Sequence, residues 1–454
     1  MLPAVVKTWI QSIGCQMSVH DGQRIGESLF ARGYLPASSI DEADVVVLTT
    51  CSVREKARQK VLSAIGRFKR LKERRPSLVV VVAGCVAQQE GERLLEDAPH
   101  VDLVIGPDHL WRIPGLVEEI KDGGPARCLV GFDEPDHRRF LGRAGSAASG
   151  VSAYLTIQKG CDEGCAFCIV PLVRGPSEHR PVPEVLQEAE ALSRAGAREV
   201  ILLGQTVNSY RCGDVGFAGL LALLDAVPGI ERVRYESAHP RFVTDELLDA
   251  HSTLPSLCEH LHVPVQSGSD TVLARMGRGH IRGDFVAWSR RLREVGRGIG
   301  ISTDLFVGFP GETEAEFRDT LSLVEEVRFD ASYSFKYSPR PGTPAASLPD
   351  DVPPDVKADR LRRLQDLQAR ITSEALSGLV GTVVEVLVEG ESRSGDGQLT
   401  GRSRRNTVVN IDGCDASPGA PVRPGDLVNV MVTHAGSHSV RGRAEDGSCA
   451  KRGA

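Results

Sequence analysis

Cys161, Cys165 and Cys168 form C-x3-C-x2-C in the stretch GCDEGCAFCIVP. Three thiolates in one short loop can face a single soft-metal site, and three is one ligand short of a closed tetrahedral zinc or a fully ligated four-iron cluster. One coordination position would then stay open, where an iron could bind substrate atoms and pass an electron. The alternative is a structural zinc with a distant fourth ligand, although zinc ribbons usually pair two C-x2-C knuckles and no such pair exists here. Cys15, Cys51 and Cys85 lie 36 and 34 residues apart, each just past the end of an apolar run. If those runs are adjacent parallel strands, all three thiols emerge at one carboxyl edge, where open α/β sheets bind ligands. That would make a second three-thiolate site; otherwise the three are unrelated buried cysteines, a common fate for this residue. Cys128, Cys212, Cys258, Cys414 and Cys449 show no such layout and read as inert.

The elements that must position these thiols show in the apolar patterning. Thr8 to Ile13, Val45 to Thr49, Leu78 to Ala83 and Val101 to Ile105 are continuous Val/Ile/Leu-rich runs, separated by about one crossover helix each. Buried parallel strands read this way, so residues 1–130 are expected to form a doubly wound parallel α/β sheet. Residues 131–152 pass through charged and then Gly/Ala/Ser-rich sequence and read as a linker. From Tyr154 the alternation resumes, with strands expected at 154–158, 200–203, 232–236, 260–265, 301–307 and 332–337 and amphipathic stretches at Pro183 to Ala195, Phe285 to Val295 and Thr313 to Val327. Six βα units over 153–376 favour an incomplete (β/α)6 barrel with ligands at the carboxyl ends of its strands. Pro354 to Ser377 reads as a connecting helix. Val383 to Val388, Thr407 to Ile411 and Leu427 to Thr433 suggest a small antiparallel β-barrel of about five strands over 377–445. Residues 446–454 look frayed, and no fixed-period repeat implies a solenoid.

The chain's 454 residues suit about three domains, each large enough for its own core. With 41% apolar and 25% charged residues, it should fold throughout. The apolar runs fall far short of the ~20 residues a membrane helix needs, and no basic head precedes an apolar stretch at the N-terminus. No membrane association and a cytoplasmic location are therefore expected. Eleven cysteines, an odd count without a secretory signal, argue against a disulfide framework.

A net charge of −6 excludes a protein that coats nucleic acid non-specifically, so any RNA or DNA site must be local. Val53 to Arg75, a predicted helix behind Cys51, carries ten Lys/Arg against two Glu and offers either phosphate contacts or a solvated face. Arg402, Arg404 and Arg405 fit a surface turn or RNA contact equally well. Aromatics at 5% suit one or two extruded bases and not a broad stacking platform. Gln205 ends the second barrel strand, and His239, Gln266 and Asp304 fall on or near later strands at the expected catalytic rim. Gly308 and Gly311 in GFPGET lack the Walker lysine and read as a tight strand-to-helix turn.

The C-x3-C-x2-C loop, with Phe167 before its last cysteine, resembles the radical S-adenosylmethionine signature. GCQMSVHD, TTCSVREKARQK, AGCVAQ, LLGQTVNSY, HLHVPVQSGSD, LFVGFPGETEAEF and FKYSPRPGTPAA resemble methylthiotransferase motifs over nearly the whole chain. GCQM and CSVREKA look like the MiaB type, whose members act on dimethylallyladenosine in tRNA, and the C-terminal barrel with GRSRRNTVV looks like a TRAM domain, an RNA-binding module. The resemblance implies that Cys161, Cys165 and Cys168 hold a [4Fe-4S] cluster whose open iron chelates S-adenosyl-L-methionine. Reductive cleavage would give a deoxyadenosyl radical that takes hydrogen from carbon 2 of the adenine. Cys15, Cys51 and Cys85 would hold an auxiliary [4Fe-4S] cluster involved in supplying or carrying sulfur, and a second S-adenosylmethionine would give the methyl group. Phe167, Glu178, Gln205, His239, Gln266 and Asp304 would contact the cofactor.

Implied partners are tRNA, an electron donor such as flavodoxin or ferredoxin, and a sulfur source, with the chain a monomer. The family usually has Asn where this chain has Ser18 and Thr50, and Glu two residues after Gly175, where this chain has Ser177 and then Glu178. Alternatives are the same chemistry on another tRNA adenosine or a ribosomal protein side chain, or a non-catalytic zinc-bearing RNA-binding protein.

Overall fold

The computed structural model describes residues 5–52, 55–132, 140, 150–295, 297–392, 397–412 and 422–445, without the side chains of 55–58. Most of the expected linker, Cys414, Cys449 and residues 446–454 lie outside the described residues.

The first unit runs β1 (Lys7–Ile13), α1 (Gln16–Phe30), β2 (Leu35–Pro36), β3 (Val45–Thr50), α2 (Glu55–Arg74), β4 (Val79–Gly84), α3 (Cys85–Glu90), α4 (Glu92–Asp97), β5 (Leu103–Ile105), α5 (Ile113–Lys121) and β6 (Arg127–Leu129). Its strands pair in parallel in the order β2-β1-β3-β4-β5-β6. β3 and β4 are buried at every position because helices cover both faces. Val46, Leu48, Val80 and Val82 pack on Val61, Ile65 and Phe68 of α2, whereas Val45, Val47, Val79 and Val81 pack on Ile25 and Leu29 of α1 and Val117 of α5. The edge strands β2 and β6, two and three residues long, are too short to show in the apolar pattern.

The second unit runs β7 (Ser152–Thr156), β8 (Gln158–Lys159), α6 (Val170–Arg174), β9 (Glu178–His179), α7 (Val182–Arg194), β10 (Glu199–Leu203), β11 (Arg211–Cys212), β12 (Val215–Gly216), α8 (Phe217–Asp225), β13 (Arg232–Tyr235), α9 (Asp245–Thr253), β14 (His260–His262), α10 (Asp270–Arg275), α11 (Arg282–Glu294), β15 (Gly300–Val307), α12 (Glu314–Val327) and β16 (Ala331–Lys336). Two parallel sheets, β7-β10-β13 and β14-β15-β16, meet at one parallel bridge between Val233 and Leu257, giving six strands of an open barrel. The strand expected at 260–265 stops at His262; Pro264 has no N–H to give to a ladder, and Gln266 rejoins through a bridge to Leu305 with φ of 76°. α12 begins with a capping box, Thr313 accepting from Glu316 N while the Glu316 carboxylate accepts from Thr313 N.

α13 (Pro354–Ser377) connects to a closed barrel of β17 (Val383–Glu391), β18 (Leu399–Ser403), β19 (Val408–Asp412), β20 (Leu427–Ala435) and β21 (Ser439–Ala444), ordered β17-β18-β19-β21-β20. Four pairings are antiparallel and one, β19 with β21, is parallel. The sequence marks three of these strands; LTGRS and SVRGRA have too few apolar residues to stand out.

This barrel docks under the N-terminal ends of the central strands. Arg232, fully buried, donates to Arg402 O at 2.7 Å and to Glu385 Oε1 at 2.8 Å. Arg234 donates to Ser403 O at 2.7 Å and Arg404 O at 2.9 Å. In return Arg404 Nε donates to Glu259 Oε2 at 2.6 Å and Arg405 pairs with Asp330. Arg404 and Arg405 sit in the turn between β18 and β19 and act as interdomain clamps, a role that the sequence reading did not anticipate.

Candidate functional site

The three strand-end cysteines of the first unit come together. Cys15 caps α1, Cys51 follows β3 and Cys85 opens α3, all at the carboxyl ends of adjacent strands. They line one cavity of about 730 Å³. Gly14, at φ of 142°, allows the approach, because a Cβ there would lie 2.1 Å from Cys51 Cβ. A hydrogen bond with the Cys51 thiol brings the pKa of the Cys15 thiol down to about 6, with burial opposing and the Arg174 charge assisting. Burial pushes Cys85 upward. Arg174 Nε donates to Cys85 Sγ at 3.2 Å and its Nη2 to Asp21 Oδ2 at 2.7 Å. Ser18 Oγ donates to Cys15 O at 2.8 Å, while Thr50 Oγ1 donates to Ala83 O at 2.7 Å and accepts from Val86 N at 3.0 Å. These two departures from the usual asparagines therefore brace the backbone around Cys15 and Cys85.

Cys161, Cys165 and Cys168 lie in the loop between β8 and α6. Gly160, at φ of 72°, sits so close to Pro176 O that a Cβ would be 1.8 Å away, and it brings the loop onto the Gly175–Pro176 segment. Cys161 Sγ meets Thr206 Oγ1 at 3.1 Å, and Arg278 Nη1 donates to Cys165 Sγ at 3.3 Å. Burial raises the Cys168 thiol to about 12 and raises Cys161 as well.

Both triads are ringed by buried polar atoms that lack a partner. Ser52 Oγ and Arg174 Nη1 lie by the first triad, and Gln205 Oε1, His239 Nε2, Gln266 Oε1, Arg278 Nε and His280 Nε2 lie along the barrel rim of the second. Buried groups of this kind are costly unless something not made of protein meets them, and donors beside sulfur suit iron–sulfur clusters and a polar cofactor. Among the described residues no three His, Cys, Asp or Glu side chains, the two thiol triads included, are gathered closely enough to hold a single metal ion.

The expected cofactor contacts divide. Gln205 and Asp304 line the cavity. His239 stands beside His280, ring centroids 5.9 Å apart, with Nδ1 accepting from Arg241 N; burial and the Arg278 charge bring it down to about 2, so it is neutral. Gln266 is buried at the β14 end. Phe167 packs on Phe306 at 5.1 Å, against a small apolar cluster. Glu178 pairs through its backbone with Lys159 in a two-residue ladder and does not line the cavity.

The cavity also exposes residues that the sequence reading gave no site role, Tyr154, Glu199, Arg234, Glu236, Ser302 and Glu389, together with His260 and His262 of the HLHVPVQSGSD stretch and Arg402 and Asn406 of GRSRRNTVV. Alternate positions on β13, β14 and β15 supply many of them, and that period-two pattern is the available signal. His262 Nε2 lies 3.8 Å from Asp304 Oδ1; burial opposes its protonation, but Asp304 and Glu236 outweigh burial and raise it.

Comparison with known proteins gives three adjoining family matches: the uncharacterized protein family UPF0004 over residues 7–106, the Radical SAM superfamily over 155–324 and the TRAM domain over 379–444. A tRNA-2-methylthio-N(6)-dimethylallyladenosine synthase from Sorangium cellulosum is 47% identical, over 95% of this chain and 92% of that protein. Proteins of the same name from Bordetella bronchiseptica (45%, covering 96% and 92%) and Syntrophobacter fumaroxidans (46%, covering 97% and 96%) are similarly close. Among solved structures, the radical S-adenosylmethionine methyltransferase TsrM from Kitasatospora setae aligns over 75% of this chain and 74% of that one, with a TM-score of 0.55 at 15% identity, a likeness of fold alone.

Proposed function

The chain belongs to the tRNA-2-methylthio-N(6)-dimethylallyladenosine synthase family, and from that premise we infer that it adds a methylthio group to carbon 2 of isopentenylated adenosine next to the tRNA anticodon. The observation that carries the reading at the site is that the first triad lines a cavity with barrel residues, while Cys161 of the second meets Thr206 just past β10 and Arg174, six residues after Cys168, reaches Cys85. Cys161, Cys165 and Cys168 would hold the cluster that binds S-adenosylmethionine, and Cys15, Cys51 and Cys85 the auxiliary cluster. When bound, the clusters would relay the electron and furnish sulfur, and S-adenosylmethionine would supply the radical and the methyl group.

The protein's part is to position and to insulate. Arg174 and Arg278 donate N–H groups to Cys85 and Cys165 sulfurs and hold those thiols in place. Gln205, Gln266 and His239 offer unpartnered atoms on the barrel rim for the polar ends of the cofactor. Between the triad and the C-terminal barrel, the His262–Asp304 pair presents a donor and an acceptor to a base turned into the cavity. The exposed Lys60, Arg67, Lys69, Arg70 and Arg74 of α2 support phosphate contact, whereas Lys72 is engaged by Asp102 and Arg75 by the Ala43 carbonyl.

Turnover needs a one-electron donor such as flavodoxin or ferredoxin and a sulfur source, and action on tRNA sets the work in the cytoplasm. No described helix is long and apolar enough to cross a membrane. One chain carries both triads and the cavity, which supports action as a monomer. Nucleoside mass spectrometry of tRNA from a strain lacking the protein tests the reading: the 2-methylthio nucleoside should vanish and its isopentenyl precursor accumulate. An unchanged profile would reject it.

A further inference from the structure

One dipeptide touches both triads. α6 begins two residues after Cys168 and ends at Arg174, whose Nε donates to Cys85 Sγ at 3.2 Å. The next residue's carbonyl, Gly175 O, accepts from Cys161 N at 3.1 Å. Between these contacts Ile169 and Val173 pack with Cys85 in a small buried cluster. The barrel's cysteine loop and the first unit's third cysteine are therefore joined through a single helical turn.

The guanidinium at its end is fixed on one side and open on another. Its Nη2 donates to Asp21 at 2.7 Å, and both side chains are buried. Its Nη1 is buried without a partner, and Arg174 lines the cavity with Cys15, Cys51 and Cys85. A rigid planar fork held by a carboxylate suits the presentation of N–H groups to sulfur. The partnerless Nη1 calls for an acceptor, and sulfide at the auxiliary site has that chemistry.

We propose that Arg174 is a positioning residue that holds the auxiliary thiol triad in register with the radical-generating loop and donates hydrogen bonds to sulfur at the auxiliary cluster. The inference rests on the two-cluster reading above. A cation and N–H donors beside cluster sulfur raise the cluster's reduction potential, so their loss lowers it. A salt bridge with no role beyond joining two domains would leave that potential where it was.

The test uses the full chain, reconstituted anaerobically, as wild type, Arg174→Lys, Arg174→Gln and the double variant Asp21→Asn/Arg174→Gln. The double variant avoids stranding a buried Asp21 charge and keeps the test meaningful if Arg174→Gln folds poorly. Iron per chain, the auxiliary cluster's midpoint potential by electron paramagnetic resonance titration and methylthio product on tRNA are measured. The expected result is a more negative auxiliary potential in the glutamine variants, a product yield lower by roughly 10- to 100-fold, and partial retention of both by lysine. A folded double variant with wild-type potential and yield would overturn the proposal. Failure of the wild type itself to methylthiolate isopentenylated tRNA would refute the functional reading instead, because the potential is read without substrate.

Discussion

Replacing Arg232 by methionine should loosen the C-terminal barrel from the catalytic unit while sparing each fold. The side chain is wholly buried and crosses the seam with bonds to Arg402 O, Glu385 O and Glu385 Oε1 at 2.7, 3.3 and 2.8 Å. The Glu385 side chain is 41% exposed and rehydrates when released, so its ion pair adds little. The cost comes mainly from the carbonyls, above all that of Arg402, which lose a charged donor. At the usual worth of such bonds this amounts to about 2–4 kcal/mol, or a docking equilibrium weakened by roughly one and a half to three powers of ten. Limited proteolysis after α13 and thermal unfolding read the docking directly, and KM for tRNA reads its consequence. Faster cleavage, a separated early transition and a raised KM with deoxyadenosine formation intact are expected. Unchanged proteolysis and unchanged KM would refute the assignment of the seam as what holds the C-terminal barrel against the cavity.

Cys165→Ala should abolish deoxyadenosine formation, whereas Cys51→Ala should spare that step and prevent sulfur insertion; equal loss of both in folded variants would contradict the division between the triads. Exchanging Arg67, Lys69 and Arg70 for glutamine should weaken tRNA binding and flatten its salt dependence by up to ~0.7–0.9 for each phosphate that is no longer neutralised, and an unaltered slope would remove α2 from the interface. His251 and His280 are buried and held to about 4. Below the ordinary histidine value the unfolded chain binds protons that the folded chain does not, so stability should fall as pH drops from about 6.5 toward 4, by about 1.4 kcal/mol per pH unit for each histidine. Denaturant unfolding at pH 7 and pH 5 measures this, and identical midpoints would contradict it.

The parts of the fold built on long apolar runs are legible in the sequence. The runs Val45 to Thr49 and Leu78 to Ala83 read as buried strands and the structure makes them β3 and β4, and a cysteine just past each run is the signal that distant thiols could share an edge. α13 is legible to the residue because a proline opens it and a glycine follows it. What escapes is decided by tertiary partners. β2 and β6 exist only because a neighbouring edge offers them hydrogen bonds, and the true length of β14 depends on how Gln266 turns back to Leu305. Arg404 and Arg405 look like any basic loop until Glu259 and Asp330, far earlier in the chain, are seen beside them. Glu236 carries no motif, and the motif that holds His260 and His262 does not say that they line the cavity, since that depends on which side of a strand faces the barrel interior.

The central claim is that this one chain carries two separate clusters, each on its own three thiols. Iron and acid-labile sulfide analysis of the anaerobically reconstituted protein, in wild type and in variants lacking either triad, tests it most directly. About eight of each per wild-type chain and about four in each triad variant are expected for two four-iron clusters. A wild-type chain that never rises above about four, or a Cys15/Cys51/Cys85 variant that keeps all its iron, would contradict it.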